Sequence, residues 1–287
     1  MDGLAYLNGE YLPLGQARVS PMDRGFLFGD GAYEVIPVYA RRPFRLDQHL
    51  ARLARTLDAI RLANPHTPGE WEAIIGRVIA GNSWADQGVY LQVTRGADSR
   101  RSQAFPPPAV APTVFLFAEP LPAPSPRQVA DGVAAVSSAD FRWLRCDLKT
   151  TSLLANCLLR QQAVDHGAVE TVLFRDGFLT EGAASSIFMV KDGVLAVPPK
   201  SHLMLPGVTY DVVLELAAAH GVPCQVREIL EAEVRCADEL WMTSSPVEVL
   251  SIVSLDGRPV GDGRPGPLGR RMMGWYQDFK REVMRGE

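Results

Sequence analysis

Residues 141–161 read Phe141-Arg-Trp-Leu-Arg-Cys-Asp-Leu-Lys149-Thr-Thr-Ser-Leu-Leu-Ala-Asn-Cys-Leu-Leu-Arg-Gln161. Lys149 is followed by three hydroxyl residues, 150–152, which can cap a helix, and then by leucines at helical spacing. We therefore expect Lys149 just ahead of a helix, with apolar surroundings on the helix side. A lysine amine that loses solvation has a lowered pKa and becomes available for Schiff-base chemistry. Most lysines are exposed and ordinary, so the rest of the chain must supply the evidence.

The composition indicates a globular protein without a membrane or nucleic-acid role. The chain has 287 residues, 47% hydrophobic and 22% charged, with a formal net charge of -4 and no basic run. This predicts one large domain or two, and no general affinity for nucleic acid or anionic membranes. Neither a signal peptide nor a membrane helix is predicted. The cysteines lack C-x-x-C spacing, so we expect no metal site, no disulfide framework and a cytoplasmic location.

The first part of the chain predicts short strands and two helices. Asn8-Gly9 is typical of a hairpin turn between strands. Residues 32–39 are rich in Tyr, Val and Ile and predict a strand, which Pro37 confines to an edge or a bulge. A helix is expected from Leu46 to Leu62 with Asp47 as its cap, and its arginines favour a solvated face. Whether Tyr33, at the start of the strand, lies in the core or in a site is left open.

Two segments set the predicted organisation of the chain. A loop after the second long strand carries Arg100 and Arg101, and a planar guanidinium there would suit a carboxylate. Closely spaced prolines then predict a semi-rigid spacer. We place an N-terminal domain at 1–119, the spacer at 120–127 and a C-terminal domain with Lys149 at 128–287. Because strands and helices are not regularly alternated, the fold class is α+β.

Features of the second half match the parts needed to bind a phosphorylated aldehyde cofactor. Glu181 directly follows a predicted hairpin, 170–180, and can supply an acid. Gly207-Val208-Thr209 begins a helix, whose free amides suit a phosphate. Ser244 and Ser245 follow a strand and offer hydroxyls. Together with the Lys149 amine, these parts fit pyridoxal 5'-phosphate (PLP), although each alone is a weak signal.

The sequence resembles the class IV, or fold type IV, PLP-dependent aminotransferases, and within them the bacterial D-amino acid branch. The resemblance covers nearly the whole chain, and the block that ends in Lys149 is its most specific part. It differs from the branched-chain branch, which has a glycine-rich segment ahead of its lysine. The matching motifs are Asp23-Arg-Gly-Phe-Leu-Phe-Gly-Asp-Gly-Ala-Tyr-Glu34, His49-Leu-Ala-Arg52, Gln92-Val-Thr-Arg-Gly96, Arg142-Trp-Leu-Arg-Cys-Asp-Leu-Lys149, Thr180-Glu-Gly182 and Gly207-Val-Thr209.

The resemblance implies a two-domain fold with the cofactor at the domain interface, and it implies roles for residues. Lys149 would hold PLP as a Schiff base and move a proton, and Glu181 would pair with the pyridinium nitrogen. Leu205 would pack on the ring face. The phosphate would be held by Arg52, Val208, Thr209, Ser244 and Ser245.

The resemblance also implies the substrates and a homodimer. Tyr33 and Arg100 would contact the substrate α-carboxylate, with the Arg100 loop coming from the neighbouring subunit. The reaction would pass an amino group from a D-amino acid, such as D-alanine or D-glutamate, to 2-oxoglutarate or pyruvate in a ping-pong mechanism. Ser102, counted with the substrate residues, stands where this branch usually has His, and Arg101 is an extra charge.

These departures keep other activities open. An (R)-selective amine transaminase is one alternative, because the carboxylate-binding loop is altered at Ser102. A 4-amino-4-deoxychorismate lyase, which has the same fold and lysine, is another. A branched-chain aminotransferase is disfavoured by the block before Lys149. A non-catalytic PLP-binding or interaction protein would be expected to lack the lysine or the acid, and both Lys149 and Glu181 are present.

Overall fold

The computed structural model describes residues 3–286, which form two compact units. The first unit contains the chain up to Pro122 together with Leu148–Leu153. The second contains Ala123–Asp147 and the chain from Leu154 onwards. One unit has an antiparallel sheet and the other a mixed sheet, each packed with helices. The predicted α+β class is confirmed.

An antiparallel sheet in the order β2-β1-β6-β5-β3-β4 forms the centre of the first unit. Its strands are β1 (Leu4–Leu7), β2 (Glu10–Pro13), β3 (Gly31–Tyr39), β4 (Arg42–Pro43), β5 (Gln87–Thr94) and β6 (Thr113–Pro120). The predicted turn joins β1 to β2, where Asn8 and Gly9 have the positive φ values, 49° and 100°, of a hairpin turn. The Pro37 carbonyl accepts from the Phe44 amide at 2.8 Å on the outer side of β3, so the missing N–H of the proline removes no bond to β5.

The α-helices of the first unit are α1 (Arg24–Phe28), α2 (Leu46–Ala59) and α3 (Pro68–Ala80). Helices α2 and α3 pack on this sheet. The prediction that Asp47 caps α2 is wrong: Arg45 precedes the helix with φ 50°, and Asp47 lies in the first turn. The backbone turn at Arg45, rather than a side chain, therefore sets the start of α2. Buried apolar residues join the helices to the sheet, and they include Ile36, Leu53, Leu57, Trp71, Ile75, Leu91 and Leu116.

The segment that carries Lys149 belongs to the first unit, which differs from the predicted division of the chain. The Tyr33 amide donates to the Lys149 carbonyl at 2.9 Å, and the Thr151 amide donates to the Gly31 carbonyl at 3.0 Å. The side-chain hydroxyl of Thr151 also donates to the Gly29 carbonyl at 2.9 Å. These bonds add the segment to the free outer side of β3, beside β4, because backbone groups at a sheet edge require partners.

A mixed sheet in the order β12-β11-β10-β13-β14-β7-β8-β9 forms the centre of the second unit, and β15 pairs with β14. The strands are β7 (Val133–Ala139), β8 (Glu170–Arg175), β9 (Phe178–Gly182), β10 (Ser186–Lys191), β11 (Val194–Val197), β12 (Cys224–Val226), β13 (Glu239–Ser244), β14 (Glu248–Leu255) and β15 (Arg258–Pro259). The predicted hairpin turn at Asp176-Gly177 joins β8 to β9. Glu181 lies inside β9 rather than after the hairpin.

Helices of the second unit are α4 (Pro126–Asp131), α5 (Leu154–Asp165), α6 (Val208–Ala219), α7 (Glu231–Arg235) and α8 (Pro267–Phe279), and a π-helical turn, Lys280–Arg285, follows α8. The predicted proline spacer runs into α4, which a capping box between Ser125 and Gln128 begins. The apolar surroundings expected on the α5 side are only partly present. Leu159 is fully buried, but Leu154 is 74% exposed and Leu158 is 55% exposed.

Within residues 3–286, none of the helices combines the length and the apolar content needed to span a bilayer.

Candidate active site

Lys149 is held by its backbone and places its amine against an aromatic ring. Its amide donates to the Thr56 hydroxyl at 3.3 Å, and its carbonyl is bonded to β3. The Nζ atom lies 4.0 Å from the centroid of the Tyr33 ring, which is stacked on Tyr90 with the ring centroids 5.7 Å apart. Hydrogen bonds to β3 therefore fix the backbone of Lys149, and its half-buried side chain makes a cation–π contact.

A buried ion pair lies on α2 and β3 of the same unit. Nε of Arg52 is 2.7 Å from one carboxylate oxygen of Glu34, and a terminal nitrogen is 2.7 Å from the other. Nδ1 of His49 is 2.8 Å from Glu34 as well. Burial alone would raise the pKa of Glu34, but the charge of Arg52 and the hydrogen bonds from Arg52 and His49 lower it to about 2. Glu34 is therefore ionised, and it fixes the orientation of the Arg52 guanidinium.

His49 is neutral and presents an unpaired ring nitrogen. Burial lowers the pKa of His49, and the partial compensation by Glu34 does not reverse this effect. Because the Glu34 carboxylate only accepts hydrogen bonds, the neutral imidazole carries its proton on Nδ1. Nε2 is then an acceptor, and it is buried without a hydrogen-bond partner among residues 3–286. This orphaned atom marks a polar position on the same α2 face as Arg52.

Glu181 is buried in the second unit and is held by two donors. Arg142 donates to one carboxylate oxygen, and the Leu205 amide donates to the other at 3.1 Å. Burial raises the pKa of Glu181 to about 7, although Arg142 and the Leu205 amide act in the opposite direction. Arg142 is itself fixed by a bidentate contact with Asp140, at 2.9 and 2.8 Å. The acid is therefore rigidly placed and titrates near neutral pH.

Further polar groups of this unit lie at the start of α6 and at the end of β13. Gly207 precedes α6 and has no side chain to cap it, so the first amides of the helix remain available. Val208 and Thr209 are buried at 8% and 6% exposure. Ser244 ends β13, Ser245 follows it, and both are half-buried. The neighbouring hydroxyl of Thr243 is buried without a partner in the described part of the chain.

The predicted substrate loop lies in the first unit and is exposed. Arg100 and Arg101 are both exposed, and the Arg101 guanidinium lies 5.0 Å from the centroid of the Phe28 ring. The Ser102 hydroxyl accepts from the amide of Ala104 at 3.2 Å. This bond makes Ser102 a turn-forming residue of its own loop.

The structure thus brings Tyr33 into contact with Lys149, and Leu205 into contact with Glu181. The sequence alone does not reveal the roles of three residues important for this geometry: Glu34, His49 and Arg142. The sequence does contain local signals for His49 and Arg142. His49 and Arg52 lie three residues apart, which places them on one helix face, and an Asp-x-Arg pattern ends in Arg142. Neither pattern identifies a partner that is distant in sequence.

Comparisons with known proteins agree on the family. A family model described as "Amino-transferase class IV" matches residues 31–255. A D-alanine aminotransferase from Bacillus licheniformis is 36% identical over 261 residues, which cover 91% of this chain and 91% of that protein. A second D-alanine aminotransferase, from Staphylococcus haemolyticus, is 33% identical over 274 residues, with 96% of each chain covered. Among solved structures, the branched-chain amino acid aminotransferase of Escherichia coli has a TM-score of 0.89 at 26% identity and covers 100% of this chain and 96% of its own. The chain belongs to the class IV family of aminotransferases.

Proposed function

We propose that this aminotransferase is a D-amino acid transaminase that transfers the amino group of D-alanine or D-glutamate to 2-oxoglutarate or pyruvate by a ping-pong mechanism. The observation that carries the proposal is the full-length similarity to the D-alanine aminotransferase of Bacillus licheniformis, at 36% identity. The block that ends in Lys149 and the loop that carries Arg100 support the same branch of the family.

We further propose PLP as the cofactor, since the residues present fit it. A pyridinium nitrogen requires a fixed acid, and Glu181 is held by Arg142 and the Leu205 amide. A phosphate suits the uncapped start of α6, and the orphaned hydroxyl of Thr243 lies in β13, a strand that α6 contacts. When bound, PLP supplies an electron sink for the negative charge that develops at the substrate Cα.

The chain's own residues would divide the work as follows. Lys149 would bind the cofactor covalently and move the proton at the substrate Cα, and Glu181 would keep the ring nitrogen protonated. Leu205 would pack on the ring. The α-carboxylate would be bound by Tyr33, Arg100 and Ser102. The phosphate would be held by Arg52, Val208, Thr209, Ser244 and Ser245.

The cofactor assignment is tested by trapping. The purified protein is incubated with PLP, reduced with borohydride and digested, and the modified peptide is identified by mass spectrometry. We expect the phosphopyridoxyl group on Lys149 and its loss in Lys149→Ala. Modification at other lysines alone would contradict the assignment. The anchoring bonds of the Lys149 segment come from its backbone, so the variant should remain folded.

The substrate assignment is tested by single half-reactions. The PLP-loaded protein is mixed separately with D-alanine, L-alanine and (R)-1-phenylethylamine, and loss of the cofactor's visible absorbance is followed. We expect D-alanine to react fastest. Bleaching by L-alanine but not by D-alanine would overturn the proposal. Release of pyruvate from 4-amino-4-deoxychorismate, without amino transfer to a 2-oxo acid, would favour the lyase.

An (R)-selective amine transaminase is the second candidate, and one observation favours it. Ser102 replaces a usual His, and its hydroxyl already accepts from the Ala104 amide. If (R)-1-phenylethylamine reacted faster than every D-amino acid tested, this candidate would replace the first. The similarity to branched-chain aminotransferase structures does not distinguish the branches, so L-leucine belongs in the same panel.

We also propose that the enzyme is a homodimer in which the Arg100 loop serves the neighbouring subunit's cofactor. The resemblance to the D-amino acid branch supports this arrangement, and the exposure of Arg100 is compatible with it.

A further inference from the structure

A buried arginine outside the proposed substrate contacts holds the backbone of the Arg100 loop. Arg24, in α1, is only 3% exposed. Its guanidinium donates to the carbonyl of Ser102, to that of Gln103 at 3.2 Å and to that of Ala104 at 3.1 Å. Three consecutive carbonyls of an exposed loop are thus bound by one side chain. Because these acceptors are backbone atoms, the contact fixes the path of the loop whatever its side chains are.

Arg24 is itself held in place by an acid shared with a second arginine. Nε of Arg24 lies 2.7 Å from Asp30, and Nε of Arg95 lies 2.9 Å from the same carboxylate oxygen. Burial works against the charge of Asp30, but the hydrogen bonds of Arg95 and Arg24 lower its pKa. Asp30 therefore remains ionised at neutral pH and fixes both guanidinium groups.

The second arginine, Arg95, contacts Phe105, which directly follows the three residues that Arg24 binds. The Arg95 guanidinium lies 3.8 Å from the centroid of the Phe105 ring, which is otherwise half exposed to solvent. Terminal nitrogens of Arg95 also donate to the carbonyls of Ile60 and Arg61, at 2.7 and 2.9 Å. Phe105 is therefore anchored on a guanidinium that cannot move freely.

The base of the loop is fixed as well. The Arg24 amide donates to the Gly96 carbonyl at 2.9 Å. Gly96 has φ 84°, and a Cβ at this position would overlap the Ala111 carbonyl oxygen. The two ends of the loop therefore approach too closely for any residue but glycine.

We propose that Arg24 is a positioning residue that holds the Arg100 loop in its carboxylate-binding conformation, and so favours amino acids over amine donors that lack a carboxylate. The inference rests on the proposed function, because it assigns the Arg100 loop to the substrate carboxylate. A loop that is free to move would have to be ordered each time a carboxylate binds. Arg24 supplies that order in advance, so its loss weakens carboxylate binding without removing a group that contacts substrate.

The test compares Arg24→Lys with Arg41→Lys. Lysine keeps the charge but lacks the planar fork that reaches three carbonyls. Arg41 is a matched control, because it also donates to backbone carbonyls of one segment, those of Ile79, Ala80, Asn82 and Trp84. It contacts no residue of the Arg100 loop in these bonds.

Two readouts are taken from each PLP-loaded variant. In Arg24→Lys, KM for D-alanine should rise about tenfold while KM for D-alaninamide, which lacks the charged carboxylate, changes less than about threefold. Amide hydrogen exchange in the peptide covering residues 99–108 should become about tenfold faster. Arg41→Lys should leave the KM values and the exchange of residues 99–108 unchanged. It should accelerate exchange only around residues 79–86. If the wild type proves to use L-alanine, the L-isomers replace the D-isomers.

The exchange measurement requires no substrate, so it separates failure of this proposal from failure of the proposed function. Unchanged exchange at residues 99–108 in Arg24→Lys would overturn the proposal, whatever donor the enzyme prefers. Faster exchange combined with equal effects on D-alanine and D-alaninamide would also overturn it, since the loop would then be ordered by Arg24 without serving the carboxylate.

Discussion

The guanidinium of Arg142 donates a hydrogen bond to the carboxylate of Glu181, and both side chains are buried. Burial raises the pKa of Glu181 to about 7, and Arg142 is the largest opposing influence. Desolvation works against the charge of Arg142, but Asp140 and Glu181 raise its pKa above the usual value. Arg142 therefore remains charged and favours the ionised form of Glu181 against the effect of burial.

Arg142→Gln should shift the acidic limb of the pH profile upward. The proposed reaction needs Glu181 ionised, so activity falls as pH drops through its pKa. Without Arg142 that pKa rises further, and the limb of log kcat/KM should move up by about one pH unit or more. The control is Arg145→Gln, since Arg145 forms a partly exposed pair with Asp147. If the acidic limb of the pH profile is unchanged in Arg142→Gln, the ionisation of Glu181 does not determine the pH dependence of activity.

Glu34→Gln should destabilise the protein strongly at neutral pH. The substitution removes the carboxylate that binds the buried guanidinium of Arg52, and loss of one partner of such a pair costs about 3 kcal/mol or more. The pKa of Glu34 is lowered from 4.5 to about 2, so its stabilising charge is fully present above pH 4.5. It is lost as pH falls towards 2.

Urea unfolding of Glu34→Gln and the wild type at pH 7 and about pH 3.5 tests whether the stabilisation by Glu34 decreases on acidification. The difference in free energy of unfolding should be larger at pH 7. Glu72→Gln, at an exposed position of α3, should change stability little at either pH. A difference that grew on acidification would show that Glu34 is not stabilised in its ionised form.

The sequence predicted best those features that a few adjacent residues determine. The hairpin turns at Asn8-Gly9 and Asp176-Gly177 depend on residues that tolerate positive φ, and both are found. The prediction that Asp47 caps α2 is wrong because the backbone conformation of Arg45 starts that helix. Local chemistry predicts a turn, but it does not reveal which of two competing starts a helix uses.

Features that join distant segments could not be predicted from the residues alone. The bond from the Tyr33 amide to the Lys149 carbonyl joins positions far apart in the sequence, and it assigns the lysine segment to the first unit. The helical spacing of the leucines predicts apolar surroundings on the helix side of Lys149, yet Leu154 and Leu158 are exposed. Periodicity identifies an apolar stripe but not whether the same chain covers it.

Arg100→Ala should impair the reaction with amino acids far more than the reaction with amines that lack a carboxylate. If its guanidinium binds the α-carboxylate, loss of this charge-assisted contact should raise KM for D-alanine about 10- to 100-fold. KM for D-alaninamide should change much less. Arg101→Ala is the matched control, because Arg101 lies in the same loop but contacts the Phe28 ring. Equal effects of Arg100→Ala on both donors would show that the loop binds another group.

Co-expression of Lys149→Ala, which should be inactive, with Arg100→Ala, which should have a raised KM, should restore activity at a D-alanine concentration near the wild-type KM if the Arg100 loop serves the neighbouring subunit. A heterodimer of Lys149→Ala and Arg100→Ala contains one site with both residues intact and one with neither. Purified through a different tag on each subunit, it should have about half of the wild-type activity. If Arg100 acts within its own subunit, both sites are damaged and activity at that D-alanine concentration stays low.

The matched control is the heterodimer of Lys149→Ala and Glu181→Gln. We propose that these two residues act on the cofactor of one subunit, so each site of that heterodimer lacks one of them and activity should not return. Recovery in this control together with none in the Arg100 pair would reverse the proposed assignment of residues to subunits. Failure of the two tagged chains to copurify would exclude the homodimer itself, because exchange between subunits requires a stable interface.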